Sequence, residues 1–195
     1  MRKKEIKELY DLEYETSESG KLIEKAVYIG DYFSFESKKY TKRRVTLGLL
    51  LGAIVLLGLI IVAGLLNTAS SRNVFIGLPF IFTFLPIIYL FRGVFALMER
   101  PEPFTKVTYR NSIQRSMNCY KGLFVLFAYI VLASILYFLV KIHQIDWKNE
   151  LFFVIFNITA LLFSYFQIQY VSRVLKTIVS REQTTNIDNE PESLA

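Results

Sequence analysis

Four apolar runs, each long enough to cross a bilayer as a helix and none charged in its interior, constrain this chain more than any other feature of its sequence. The first, Val45 to Leu66, has Thr46 as its only polar side chain apart from glycines. At about 1.5 Å per residue it reaches roughly 33 Å, against a hydrocarbon core of about 30 Å. The second, Val74 to Phe91, holds Pro79 and Pro86 and ends at Arg92. The third runs from Gly122 to Val140 and the fourth from Leu151 to Tyr170. The expected transmembrane spans are therefore 45–66, 74–91, 122–140 and 151–170.

A soluble fold is the competing solution, and composition argues against it. The chain has 195 residues, room for one folded unit, of which 53% are hydrophobic, 21% are charged and 17 are Phe. A small protein is mostly surface and cannot hide that much apolar area in a core. The first run starts too late and is too long for a cleaved signal peptide, so it reads as a retained span.

Lys and Arg distribute asymmetrically between the two sides of the spans. Lys38, Lys39, Lys42, Arg43 and Arg44 precede the first run; Arg92, Arg100, Lys106, Arg110, Arg115 and Lys121 lie between the second and third; Arg173, Lys176 and Arg181 follow the fourth. Only Arg72, Lys141 and Lys148 fall on the opposite side. The positive-inside rule then places both termini and the central loop in the cytoplasm. The net charge of +6 sits next to apolar runs, where it suits anionic headgroups, so no nucleic-acid partner is expected. The expected architecture is a membrane all-α, four-helix transmembrane bundle of two helical hairpins. It would comprise a cytoplasmic segment 1–44, a membrane domain 45–180 and a disordered acidic tail 181–195.

The N-terminal segment alternates Tyr10, Leu12 and Tyr14 with Asp11, Glu13 and Glu15, a strand period. A Ser17-Glu18-Ser19-Gly20 turn and a Gly30-Asp31 pair separate it from Ala26-Val27-Tyr28-Ile29 and from Tyr32-Phe33-Ser34-Phe35. These features predict a small antiparallel β-meander, with two amphipathic helices, 3–15 and 21–33, as the alternative. After Thr105, the spacing of Tyr109, Ile113, Met117, Tyr120 and Phe124 predicts an amphipathic helix on the cytoplasmic surface that runs into the third span. Val171, Val174, Leu175, Ile178 and Val179 extend the fourth helix inward.

Several residues inside the spans carry polar or conformational information. Pro79, Thr83 and Pro86 share one face of the second span, as a kinked packing helix or a broken helix lining a path. Arg92 reads as an anchor at the inner end of that span. Asn157, Ser164 and Gln167 share a face of the fourth span, to bond neighbouring helices or a ligand. Gly48 and Gly52 permit close helix contact within the bundle or in self-association. His143 has no second His or Cys beside it, and the single Cys119 allows no intrachain disulfide. No catalytic residue, cofactor or metal is expected: there is no cysteine pair, no His and carboxylate ligand set and no clustered aspartates. Glu99, Glu102, Asp146 and Glu150 lie near span ends without pairing, and no ionisable residue falls inside a span.

Leu65-Leu66-Asn67 through Ser71-Arg72, Leu78-Pro79, Leu85-Pro86 and the strand-like Tyr28-Ile29-Gly30-Asp31-Tyr32 together resemble uncharacterised small four-span bacterial membrane proteins. The resemblance covers all but the acidic tail. It implies a bacterial inner-membrane location and transfers no activity. The expected function is a non-enzymatic accessory or regulatory subunit of a membrane assembly, partnered by the lipid bilayer and another membrane protein. The alternative is a small homo-oligomeric transporter or channel.

Overall fold

The computed structural model describes residues 10–16, 22–37, 40–66, 68–141 and 147–181. Strands β1 (Tyr10–Thr16), β2 (Leu22–Tyr28) and β3 (Tyr32–Phe35) precede helix α1 (Lys42–Leu65). A short helix α2 (Ala69–Arg72) leads into α3 (Val74–Phe82) and α4 (Phe84–Glu99). Strand β4 (Phe104–Thr105) then starts the long helix α5 (Lys106–Lys141), and α6 (Trp147–Leu175) is followed by β5 (Ile178–Arg181). The chain is mostly helical. Four helical segments, Lys42–Leu65, Val74–Glu99, Lys106–Lys141 and Trp147–Leu175, are long and apolar enough to cross a membrane, which supports a multi-pass membrane protein.

The segments pack as a closed ring, α1 on α4 and α6, and α5 on α4 and α6. Its interior is filled by Leu49, Leu56, Ile60, Ile87, Leu90, Leu123, Phe127, Ile130 and Phe153. The outer surface carries exposed Leu51, Phe75, Ile81, Val125, Leu132 and Phe166. Apolar residues on both inner and outer faces suit helices whose solvent is lipid.

The second segment is broken between Phe82 and Phe84. Pro86 has no N–H for the carbonyl of Phe82, and its ring crowds that carbonyl. Thr83, fully buried, closes the break by donating both its N–H (3.1 Å) and its hydroxyl (2.6 Å) to the Phe80 carbonyl. Pro79 lies within α3 without ending it.

The N-terminal segment is β-structured in the described residues, and the helical alternative fails there. It is not a three-stranded meander, however. β1 and β2 form their own antiparallel hairpin, with Tyr10 opposite Tyr28 and Thr16 opposite Leu22. The turn expected at 17–20 lies outside the described residues. β3 instead centres a second sheet of order β4-β3-β5, pairing Phe33 with Phe104 and with Ser180. The physical reason is burial: in a free meander Phe33 and Phe35 would face water on at least one side. Here Phe33 stacks on Tyr109 at 4.7 Å, and Phe35 meets Phe104 at 5.6 Å.

One further expectation is corrected at this end. The fourth helix stops at Leu175, and Ile178 and Val179 leave it for β5. Thr177 makes the stop, donating its N–H and hydroxyl to the Val174 carbonyl while its own carbonyl accepts from Glu36 N–H. The helix expected after Thr105 does run into the third span: it forms the first turns of α5, packed along α4. It contains a π-helical turn, Arg110–Gln114. Thr108, Ser112, Ser116 and Tyr120 are all buried at every fourth residue, a spacing that would drift about 40° per step in a regular α-helix. The wider π turn absorbs part of that drift. On α4, Gly93 lets the helices meet: a Cβ there would lie 3.2 Å from both the Ser112 carbonyl and the Ser116 hydroxyl.

At the opposite, loop end of the bundle, α2 folds back on α3. A Cβ on Gly77 would lie 2.5 Å from the backbone carbonyl of Ser71, a contact that no side-chain rotation can relieve. Gly77→Ala should therefore cost about 1–3 kcal/mol and lower the melting temperature in detergent. Gly58→Ala is the control, because a Cβ there meets nothing within 4 Å; it should be neutral or stabilise by up to about 1 kcal/mol.

Candidate functional site

The inward face of α6 carries a stripe of buried polar side chains. Its buried positions repeat at helical spacing: Glu150, Phe153, Asn157, Ala160, Ser164, Val171 and Val174. Gln167 continues the row, with its Oε1 atom buried. From Glu150 to Gln167 the stripe spans about 26 Å at the helical rise. The structure thus places Asn157, Ser164 and Gln167 on one face, and adds to them a carboxylate that the sequence seemed to leave at a span end.

Glu150 is 1% exposed. Its Oε1 accepts the backbone N–H of Ser70 at 2.9 Å, tying the start of α6 to α2 across the loop end. Its Oε2 is buried with no hydrogen-bond partner among the described residues. The same holds for the Ser70 hydroxyl beside it and for Ser134 Oγ on α5. Glu150 also lines a small apolar cavity of about 140 Å³ with Ile135, Phe138, Leu151 and Val154. One signal could have found it in the sequence: Glu150 stands seven residues before Asn157, which is itself seven before Ser164, two turns of helix each time.

The other polar side chains of the stripe turn onto their own helix. Asn157 Nδ2 donates to the Phe153 carbonyl and Ser164 Oγ to the Ala160 carbonyl, both at 2.8 Å. That is local back-bonding, not a bridge to a neighbouring helix or a set of donors aimed at a ligand. Asn157 Oδ1 and Gln167 Oε1 remain buried without partners among the described residues.

Gly48 and Gly52 give α1 its close approach to this face. A Cβ on Gly48 would fall 2.8 Å from the Tyr170 hydroxyl. One on Gly52 would fall 2.5 Å from Gln167 Nε2 and 2.7 Å from the Tyr120 hydroxyl, which itself donates to the Leu49 carbonyl at 3.4 Å. The structure shows the first of the two uses left open by the sequence, the contact within the chain.

The second-span residues do not join this group. Thr83 is buried but satisfied by Phe80, Pro79 and Pro86 are half-buried, and Arg92 is exposed. His143 and Asp146 lie outside the described residues. Among the described residues no three His, Cys, Asp or Glu side chains gather as metal ligands. Comparison with protein-family models, curated proteins and solved structures gives no match, so the site must be read from its own chemistry.

That chemistry predicts two different outcomes at Glu150. Glu150→Gln keeps the acceptor for Ser70 and the shape of the side chain, so its stability should stay within about 1 kcal/mol of the parent. Glu150→Ala strands the Ser70 N–H and should cost about 1–3 kcal/mol. Thermal unfolding followed by fluorescence of Trp147, the only tryptophan and the first residue of α6, measures both.

Proposed function

We propose that the chain is a non-enzymatic accessory or regulatory subunit of a membrane assembly. It sits in a bacterial inner membrane with its sheet end and both termini in the cytoplasm. The bias of Lys and Arg toward that end supports the orientation. The observation that carries the functional reading is the sheet β4-β3-β5, which draws one strand each from the N-terminal segment, the central loop and the segment after α6. It makes a single platform from pieces far apart in sequence.

The β1-β2 hairpin stands on this platform and pairs with neither β3 nor β5. Tyr28 anchors its base: the hydroxyl donates to the Asp31 carbonyl (3.1 Å) and accepts from Lys106 N–H (2.9 Å), in the first turn of α5 where backbone donors lack intrahelical partners. Two-stranded hairpins are marginal in water, and their open edges template added strands. A hairpin of seven-residue strands held at its base is suited to binding a partner protein.

Purification from the native membrane in mild detergent, with mass spectrometry of what co-elutes, tests this. A defined partner should be recovered with the intact chain and lost when residues 10–27 are deleted with Tyr28 kept, while the melting temperature of the bundle barely moves. Recovery of the chain alone at native expression would sink the reading.

The unpartnered Glu150, Ser134, Asn157 and Gln167 atoms support a second reading, a small homo-oligomeric transporter or channel. Cross-linking in membranes should then give a ladder of fixed size, and Glu150→Gln should alter flux in vesicles although it leaves stability nearly unchanged. A strictly monomeric protein with no flux excludes it.

A further inference from the structure

A groove of about 500 Å³ follows the seam between α4 and α5 on the outside of the bundle. Its lining changes character along its length. Toward the sheet end it is polar, formed by Arg110, Asn111, Gln114, Arg115 and Asn118, all from α5 and its π turn. Toward the middle of the bundle it is formed by Leu85, Pro86 and Tyr89 of α4 with Cys119 and Gly122 of α5. From Arg110 to Gly122 the groove follows α5 for about 18 Å. Among the described residues no acidic side chain lines it.

Local structure explains the shape. The π turn and Gly93 bring Ser112 and Ser116 against α4, which leaves the arginine and amide face of α5 turned outward beside the seam. Arg115 is oriented by its own helix, donating from Nη2 to Asn111 Oδ1 at 3.0 Å. The floor stays open at Gly122, where a Cβ would meet nothing within 4 Å. The break at Thr83 starts α4 at Phe84 and puts Leu85 and Pro86 in its first turn, at the apolar end of the groove.

We infer that this groove binds one anionic phospholipid, its phosphate headgroup on Arg110 and Arg115 and an acyl chain over Leu85, Pro86 and Gly122. The inference rests on the membrane reading of the four helices and on the sheet end facing the cytoplasm, not on the identity of any protein partner. Two guanidinium groups match a phosphate by charge and by paired N–H geometry. The three amides add donors for the glycerol and headgroup oxygens. The apolar half begins where a lipid's chains begin, and the long axis of the groove runs along the helix, as a lipid's does. A free phosphate would satisfy the arginines and leave the apolar half without purpose.

Native mass spectrometry of the full chain in detergent tests this, after extraction has been checked. Release from membranes by detergent but not by alkaline carbonate establishes the membrane reading independently of the lipid result. The chain is then titrated with phosphatidylglycerol, with phosphatidylcholine of the same acyl chains, and with glycerol phosphate and inorganic phosphate. Phosphatidylglycerol should bind one equivalent at least about tenfold more tightly than phosphatidylcholine, with the two chainless phosphates weaker still. The double variant Arg110→Gln/Arg115→Gln should lose that preference. Gly122→Leu, which fills open space, should weaken phosphatidylglycerol without lowering the melting temperature. Arg43→Gln/Arg44→Gln, at the same end of the bundle but outside the groove, should bind as the parent does. Equal binding of the two lipids, an unchanged arginine double variant, or an equal loss in the Arg43/Arg44 control would overturn the site. Competition by inorganic phosphate at the lipid's own affinity would overturn the lipid assignment.

Discussion

Beyond their first turns, the backbone amides of the four long helices need partners inside the helix itself, because the apolar side chains around them offer none. Exposed Leu51, Phe75, Ile81, Leu132 and Phe166 have no polar neighbour to lend, and hydrocarbon would have none either. This constraint accounts for the regularity of α1 and α6 and for the way the one break is made. Where Pro86 removes a donor, the chain does not open. Thr83 turns both of its donors onto the Phe80 carbonyl, and the interruption closes within one residue. Among the described residues, strands occur only at the end where Lys and Arg gather, where edge groups can find water.

The same constraint decides what was legible in the sequence. Apolar runs are local, so the four long helices could be read directly; the first stops at Leu65, one residue short of the expected end, and the larger shifts are outward, to Lys42, Glu99, Lys106 and Leu175. The strand content of β1 and β2 was legible for the same reason, from period-two alternation. The partners of β3 were not, because β4 lies about 70 residues away and β5 about 145, and no periodicity encodes a pairing at that distance. Ile178 and Val179 fit a helix face as well as a strand. What removed them from α6 was the bond between the Thr177 carbonyl and Glu36, a tertiary contact.

The candidate site shows a subtler failure of local reading. Asn157, Ser164 and Gln167 were placed together by helical spacing, and they do share a face. Spacing could not say that Asn157 and Ser164 would spend their hydrogen bonds on Phe153 and Ala160. Glu150 lies near a span end without a paired carboxylate in the sequence, and nothing local marks it as buried. Folding α2 back over the start of α6 turned that position into a buried one, and the closeness of Gly77 to Ser71 is what allows the fold-back. A glycine in one hairpin therefore determines the burial of a carboxylate in the other.

The helix α5 links the features proposed to act at the sheet end. Its first backbone N–H holds Tyr28 and with it the base of the β1-β2 hairpin. Its Tyr109 ring stacks on Phe33 of the platform, and the π turn beginning one residue later supplies Arg110 to the groove, with Arg115 directly after it. Wide turns hold their backbone bonds less firmly than α-helical ones, and they recur where a helix must shift register. Lipid seated on Arg110 and Arg115 would favour one setting of this turn, and a protein bound to the hairpin would bear on the same few residues through Tyr28 and Phe33. Coupling between the two would then need no path through the packed interior, where Leu56, Ile87, Leu90 and Phe127 leave no slack. It would be confined to two turns of one helix, the region where Gly93 lets α4 register any movement of Ser112 and Ser116.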